Sequence, residues 1–217
     1  MNSSIELEIL DNKFIFDYRK SIFWKNKKIL IVSDTHFGKG FSFRLSGIPV
    51  PTGSTLEGII ILEELISVYQ PEYLFLLGDF THANTSLTKE LIQKLKKLRE
   101  DFKKIKFYLL KGNHDKNLDL IREINFFDEI KDLVVKDDFS FSHFYTEVSK
   151  FNFFGHIHPA IKLKDDLDYL KLECFYLTDK YCILPSFGLF TGNKIIIPKK
   201  NEQVIIIFDS QLKIINY

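Results

Sequence analysis

Each of the six histidines in this 217-residue chain follows closely on an apolar run. Gly112-Asn113-His114-Asp115 comes just after Phe107-Tyr108-Leu109-Leu110. There Asn113 offers a neutral carbonyl oxygen, His114 a proton near neutral pH, and Asp115 a carboxylate able to orient the imidazole. Asp34-Thr35-His36 follows Ile29–Val32, and Asp79 and His82 follow Tyr73–Leu77. His143 closes Phe139–Phe141, and Gly155-His156-Ile157-His158 closes Phe151–Phe154. Imidazole combined with carboxylate and amide oxygen suits borderline divalent ions such as manganese, iron or zinc. Asp34, His36, Asp79, Asn113, His143, His156 and His158 are too many ligands for one tetrahedral ion. Two ions about 3.5–4 Å apart, sharing a carboxylate and a bridging hydroxide, would use them well on a phosphoryl centre.

The elements that must position these groups follow from periodicity. Residues 5–17 alternate loosely, with Asp11-Asn12 between two short runs, and predict a strand pair. Ile29–Val32, Tyr73–Leu77 and Phe107–Leu110 are continuous apolar runs, as expected of strands covered on both faces. Between the first two lies a loop from Gly38 to Gly53 carrying Lys39 and Arg44. It is followed by a helix with Ser54 and Glu57 as a capping box and Ile59, Leu62, Ile66 and Tyr69 at helical spacing up to Pro71. Leu87, Leu91, Leu95, Leu98 and Phe102 mark a second helix. Its other face, with Lys89, Lys94, Lys96, Lys97 and Arg99, reads as solvated surface rather than a nucleic-acid contact. Strand, helix, strand, helix, strand implies a largely parallel sheet with crossover helices, whose carboxyl ends form one rim. A short helix is expected over 118–124. Beyond it the chain is strand-like at 133–135, 139–141, 151–154, 175–177, 181–184, 195–197, 204–208 and 213–215. One domain over 1–217 is expected, its second half building another sheet on the first.

A hydrophobic content of 45% in a chain this long suffices for one sizeable core. The net charge of +1 provides no overall field for nucleic acid or a membrane surface. Two cysteines, Cys174 and Cys182, without metal spacing, predict a reducing compartment and no disulfide framework. The first residues do not resemble a signal peptide, and no apolar run approaches the roughly 20 residues that span a bilayer. A cytoplasmic protein with no membrane partner is the expectation.

The ordered set Asp34-Thr35-His36, Gly78-Asp79, Gly112-Asn113-His114-Asp115, His143 and Gly155-His156-Ile157-His158 resembles the binuclear metallophosphoesterase (calcineurin-like) superfamily. The short pieces recur by chance; the full ordered set is specific. The resemblance implies an α/β (α+β) fold, a four-layer αββα sandwich of two mixed β-sheets flanked by helices. It implies that Asp34, His36, Asp79 and His158 bind one metal and that Asp79 bridges to a second held by Asn113, His143 and His156. His114 would then face substrate and protonate the leaving group, tuned by Asp115. The ions would be manganese first, with iron, zinc or nickel as alternatives.

A narrower similarity covers most of the chain. His36-Phe37-Gly38-Lys39, Phe43-Arg44, Gly47-Ile48-Pro49-Val50-Pro51, His82, Gly155-His156-Ile157-His158-Pro159, Leu184-Pro185, Phe187-Gly188 and Thr191-Gly192 resemble the ligase-associated DNA-damage-response endonuclease family. That resemblance implies a DNA phosphodiesterase in repair, with DNA ligase and helicase partners. Phe37 and Thr35 depart slightly from the family's first motif without touching a ligand. Lys39 and Arg44 are candidate phosphate contacts, weighed evenly against a loop salt bridge. His82 is a candidate substrate-binding group or a support beside Asp79, with an ordinary polar loop histidine slightly favoured. Phe187 could stack a base, although core packing is favoured. Nucleotides or other small phosphate esters, phosphomonoesters among them, are the alternative substrates. A non-catalytic interaction scaffold is the lesser alternative, since no ligand is lost. A lactamase-type zinc hydrolase is excluded because no His-x-His-x-Asp-His string occurs. Strand polarity and oligomeric state, a homodimer included, stay open.

Overall fold

Alternation along the strands decides what each sheet face covers, because successive side chains point to opposite sides. The computed structural model describes residues 2–51, 53–83, 86–164 and 169–217, without the side chains of Ser54, Thr55 and Lys164. Among the described residues, seven strands form a first sheet in sequential order: β1 (Ser4–Ile9), β2 (Asn12–Asp17), β3 (Ser21–Trp24), β4 (Ile29–Ser33), β5 (Tyr73–Leu77), β6 (Lys106–Leu110) and β7 (Glu129–Lys131). Strands β4 to β7 run parallel, and β1 to β4 pair antiparallel. Ile29, Ile31, Phe75, Leu77 and Leu110 face the second sheet, while Leu30, Val32, Leu74, Leu76, Phe107 and Leu109 face helices. Those helices are α2 (Ser54–Tyr69), α3 (Lys89–Asp101) and α4 (Leu118–Glu123). In α3 the Thr88 hydroxyl accepts from Leu91 N–H, and Leu91, Leu95 and Leu98 form the buried stripe. Its Lys94, Lys96 and Lys97 are exposed, as expected of a solvated face.

The second sheet contains β8 (Leu133–Lys136), β9 (Phe139–Ser142), β10 (Phe151–Phe154), β11 (Pro159–Lys164), β12 (Tyr169–Leu177), β13 (Tyr181–Ile183), β14 (Lys194–Ile195), β15 (Gln203–Phe208) and β16 (Gln211–Asn216). Its main order is β14-β11-β12-β13-β10-β9-β8, and β15 joins β12 to β16. Strands β9, β10 and β13 are mutually parallel and β8, β12, β15 and β16 antiparallel to their neighbours, so this sheet too is mixed. Phe139, Phe141, Phe151, Phe153 and Phe175 meet Phe14, Phe16 and Trp24 between the sheets. Each such buried ring contributes roughly 1.5–3 kcal/mol by leaving water. The opposite face carries a smaller apolar cluster of Phe154, Ile161, Cys174, Ile183 and Val204. The expected pair of mixed sheets flanked by helices is present, with α2, α3 and α4 gathered against the first sheet.

Three strands and one helix had no clear periodic signal. Strands β3, β7 and β11 are short or broken by charge; β3 and β11 pair antiparallel with the strands next to them in sequence, and β7 pairs parallel with β6 across α4. The expected loop from Gly38 contains α1 (Lys39–Leu45), a correction to the reading of 38–53 as loop throughout. Gly38 enters this helix at φ +82, and a Cβ there would fall 2.4 Å from the Ser86 carbonyl oxygen. That close approach, not helix propensity, is what seats α1. Helix α2 begins after Gly53, and the Ser54 side chain of the expected capping box lies outside the described residues.

Cys174 and Cys182 are both buried and free. They lie on opposite faces of the second sheet, which rules out a bond between them. Burial raises both thiol pKa values, that of Cys174 to about 12. Neither should react with a colorimetric thiol reagent at pH 8 until denaturant is added, when both should react.

Candidate metal centre

The parallel strands bring the chemistry to one rim. Asp34 and His36 follow β4, Asp79 follows β5, Asn113 and His114 follow β6, His143 follows β9, and His156 and His158 follow β10. Asp34, His36, Asp79 and His143 are buried, His158 is half-buried, and Asn113, His114 and His156 are exposed. One side of the cluster is therefore packed in protein and the other open to solvent.

Backbone conformation there is unusual. Asp34, His36, Asp79, His156 and His158 all sit at positive φ, between +41° and +64°. Side chains with a Cβ seldom adopt this region, and such outliers persist where surrounding structure over-determines them. Here the loops are pinned to one another: His36 N–H donates to the Asp79 carbonyl at 2.8 Å, and Gly188 N–H to that of Asp34 at 3.0 Å. The Ser186 hydroxyl donates to the same Asp34 carbonyl at 2.8 Å. That supporting layer, residues 184–188, entered the sequence reading through the family resemblance of Leu184-Pro185 and Phe187-Gly188, without its bonds to Asp34.

Hydrogen bonds also assign the histidine tautomers. A carbonyl oxygen can only accept, so a ring nitrogen beside one carries the proton. His143 Nδ1 lies 3.0 Å from the Leu77 carbonyl and His158 Nδ1 2.9 Å from that of Gly192. Their Nε2 lone pairs are thereby aimed inward. His143 Nε2 is 3.0 Å from Asn113 Oδ1, 3.2 Å from His156 Nδ1 and 3.6 Å from Asp79 Oδ1. His158 Nε2 is 3.3 Å from Asp34 Oδ1, and His36 Nε2 is 3.6 Å from Asp79 Oδ2. Ring nitrogens and carboxylate oxygens converging in this way suit a cation between them. Both ring nitrogens of His36 and Nε2 of His158 are buried without a hydrogen-bond partner. The donor set therefore fits divalent metal: Asp34, His36 and His158 form one group of mutually close ligand atoms, and Asp34, Asp79 and His143 another.

The electrostatics of the individual groups differ. Burial pushes the His36 imidazole down to about 3, so the ring is neutral. Burial also disfavours charge on His158, but the Asp34 carboxylate outweighs it and raises the His158 pKa. Burial opposes ionisation of Asp34, and the neighbouring His158 and His143 rings and the Ser33 hydroxyl lower its pKa in spite of that. The Asp34 carboxylate also accepts the His156 N–H, at 3.0 and 3.2 Å to its two oxygens.

Two glycines make room for these groups. A Cβ on Gly78 (φ +78) would lie 2.2 Å from His143 Nδ1. One on Gly155 would lie 1.7 Å from the Ser33 hydroxyl and 2.3 Å from Asp34 Oδ2. Gly155→Ala should displace the Asp34 carboxylate and weaken divalent-metal binding about tenfold or more. A Mn²⁺ titration followed by thermal shift reads this directly; wild-type affinity would refute it.

The remaining site expectations divide. His114 is close to the cluster, its Nε2 4.0 Å from Asp79 Oδ2, and its Nδ1 donates to the His82 carbonyl at 3.0 Å. Asp115 does not orient it, a correction to the expected pairing: its buried oxygens accept from Gly112 N–H at 2.8 Å and Phe80 N–H at 2.9 Å. Burial raises its carboxyl to about 6. Asp115 shapes the loop. His82 stacks on the His114 ring, with centroids 5.5 Å apart, and forms a third close group with His36 and His114. Lys39 is half-buried beside the site, and burial lowers its pKa. Arg44 lies over the Phe41 ring and donates to the Pro51 carbonyl at 3.2 Å. Phe187 is buried in the core against the helices, as core packing required.

A family model for calcineurin-like phosphoesterases matches residues 27–209. Among solved structures, the fold is similar to that of nuclease MPE from Pseudomonas putida, with a TM-score of 0.82 and 24% identity over 98% of this chain and 100% of that one. No curated protein matches the sequence. No described helix is long and apolar enough to cross a membrane. The match to the family model and the rim of imidazoles and carboxylates lead to one conclusion: the chain belongs to the calcineurin-like phosphoesterase family, metal-binding hydrolases of phosphoester bonds.

Proposed function

We propose that this protein is a phosphodiesterase that cuts nucleic acid, with DNA as the substrate and repair as the setting. The observation that carries the proposal is the open half of the rim: Asn113, His114 and His156 are exposed around buried carboxylates. The likeness to a nuclease structure and the motif of the ligase-associated family support the choice of polymer over small ester. DNA ligase and helicase partners belong to the same proposal.

In this proposal Asp34, His36, Asp79 and His158 hold one divalent ion. Asp79, Asn113, His143 and His156 hold the other, with manganese as the first choice. Such ions supply a nucleophile at neutral pH and neutralise charge on a phosphoryl group. The chain's own part is positional. Backbone carbonyls of Leu77 and Gly192 lock His143 and His158 with Nε2 inward. The His82 carbonyl holds His114 so that its Nε2 can hydrogen-bond a phosphoryl oxygen and give a proton to the departing alkoxide. Lys39, held near Asp79, adds positive charge on the substrate side.

Residues 1–217 are proposed as one domain, since Phe14 and Leu212 share the cluster between the sheets. The two free, buried thiols support a reducing cytoplasm. The test is turnover of single-stranded DNA against p-nitrophenyl phosphate with added Mn²⁺. DNA cleavage that weakens steeply with salt supports the proposal, because neutralised phosphates release counterions. Hydrolysis of the monoester alone would replace it with the small-ester alternative.

A further inference from the structure

Two large apolar rings stand partly exposed beside the polar centre. Phe144, 48% exposed, follows His143 directly and lies 4.6 Å from the His143 ring and 4.7 Å from that of His156. Phe190, 43% exposed, stands at φ +60 in the loop that begins at Ser186. Its ring lies 6.3 Å from Phe43, which in turn lies 6.5 Å from the His82 ring, with the Lys39 ammonium 5.9 Å over Phe43. Lys39 and Phe190 also line a shallow pocket that reaches Thr35 and His36. The two exposed rings thus mark opposite ends of the imidazole row. Phe144 belongs to the His143 and His156 end, and Phe190 to the His36 and His82 end.

We propose that Phe144 and Phe190 are stacking surfaces for the nucleobases on either side of the scissile phosphate. This rests on the nuclease reading above and extends it. Every base has a π-face, so stacking of this kind tolerates any sequence. It would place a phosphate over the metal ligands without reading base edges. A chain with a net charge of +1 has little long-range attraction for a polyanion, and ring contacts would supply holding power that charge does not. Neither ring is needed for the fold in the way Phe187 is, since that ring is packed against the helices. The left-handed backbone at Phe190, unfavourable for an aromatic residue, is consistent with a side chain held out for contact.

The experiment compares two phosphorothioate decamers of equal charge, one of thymidines with a central 2-aminopurine and one with abasic sugars throughout. The proteins are wild type, Phe190→Ala and Phe144→Leu. Leucine keeps an apolar contact on His143 and His156 but has no ring face. Wild type should bind the base-bearing strand tighter than the abasic one and quench 2-aminopurine fluorescence. Each variant should weaken base-bearing binding about 5- to 100-fold, leave abasic binding unchanged and relieve the quenching. Unchanged Mn²⁺ affinity in Phe144→Leu, by thermal shift, separates stacking from damage to the ligands. Equal binding of both decamers by wild type, with DNA still cleaved, would overturn the stacking proposal and leave the nuclease reading intact. No binding or cleavage of either strand, with small esters still hydrolysed, would overturn both.

Discussion

Asp79→Asn should end metal-dependent hydrolysis, lowering kcat/KM on the order of 10³-fold or more. Asp79 presents one carboxylate oxygen to each half of the site. Its Oδ2 lies 3.6 Å from His36 Nε2 and its Oδ1 3.6 Å from His143 Nε2. An amide keeps the shape and can still accept the His114 N–H that Oδ1 now takes at 2.9 Å. It replaces the other oxygen with an NH₂ group that cannot ligate a cation and removes a full negative charge. The stabilising thermal shift on adding Mn²⁺ should disappear with the activity, since a ligand that binds only the folded state stabilises it. In chelator the sign should reverse: the variant should melt at or above the wild-type temperature, because Asp34 and Asp79 are two buried carboxylates whose charges no longer oppose each other. Full turnover in Asp79→Asn would refute the two-ion assignment. Lost turnover with a wild-type Mn²⁺ shift would move Asp79 from holding metal to contacting substrate.

His114→Ala should behave differently, retaining metal and losing chemistry. Its ring is exposed, its Nδ1 proton is committed to the His82 carbonyl, and it stands outside the two groups that contain Asp34, close instead to His36 and His82. Substrates that leave as alkoxides need a proton and should slow about 10²- to 10⁴-fold. Esters with a nitrophenolate leaving group should slow far less. Metal content should stay at the wild-type value. Equal slowing across both classes would remove the acid role and leave only electrostatic stabilisation. Asp115→Asn is the matching control. Asp115 is bonded to Gly112 and Phe80 rather than to the imidazole, so the change should lower melting temperature without altering leaving-group dependence.

These contrasts show why some of the site was legible in the sequence. Asp34, Asp79, Asn113, His143 and His156 could be found because each lies within a few residues of a strand's end. Parallel strands put such ends on one rim whatever the details of packing. The buried stripe of α3 was legible for a similar reason, since Leu91, Leu95 and Leu98 repeat at the helical period. Helix α1 was not, because Gly40 interrupts its interior and Ser86, far along the chain, provides the seat. Asp115 misled for a related reason. Adjacent to His114 in sequence, it looked like the imidazole's partner, but the partner is the backbone of His82, which no side-chain pattern records.

The sequence by itself therefore determined the kinds of ligand, their order and their phase with the strands, because strand periodicity and side-chain chemistry are local properties. Tertiary structure alone decided how those ligands are aimed. The Asp34 carboxylate is held by the His156 backbone from 122 residues away, His143 is turned inward by Leu77, and five of the candidate ligands stand at positive φ because neighbouring loops keep them there. Hydrogen bonds from backbone to backbone and from backbone to ring leave no mark in residue identity. They form only when the two sheets close on each other, and they turn a set of suitable residues into converging lone pairs.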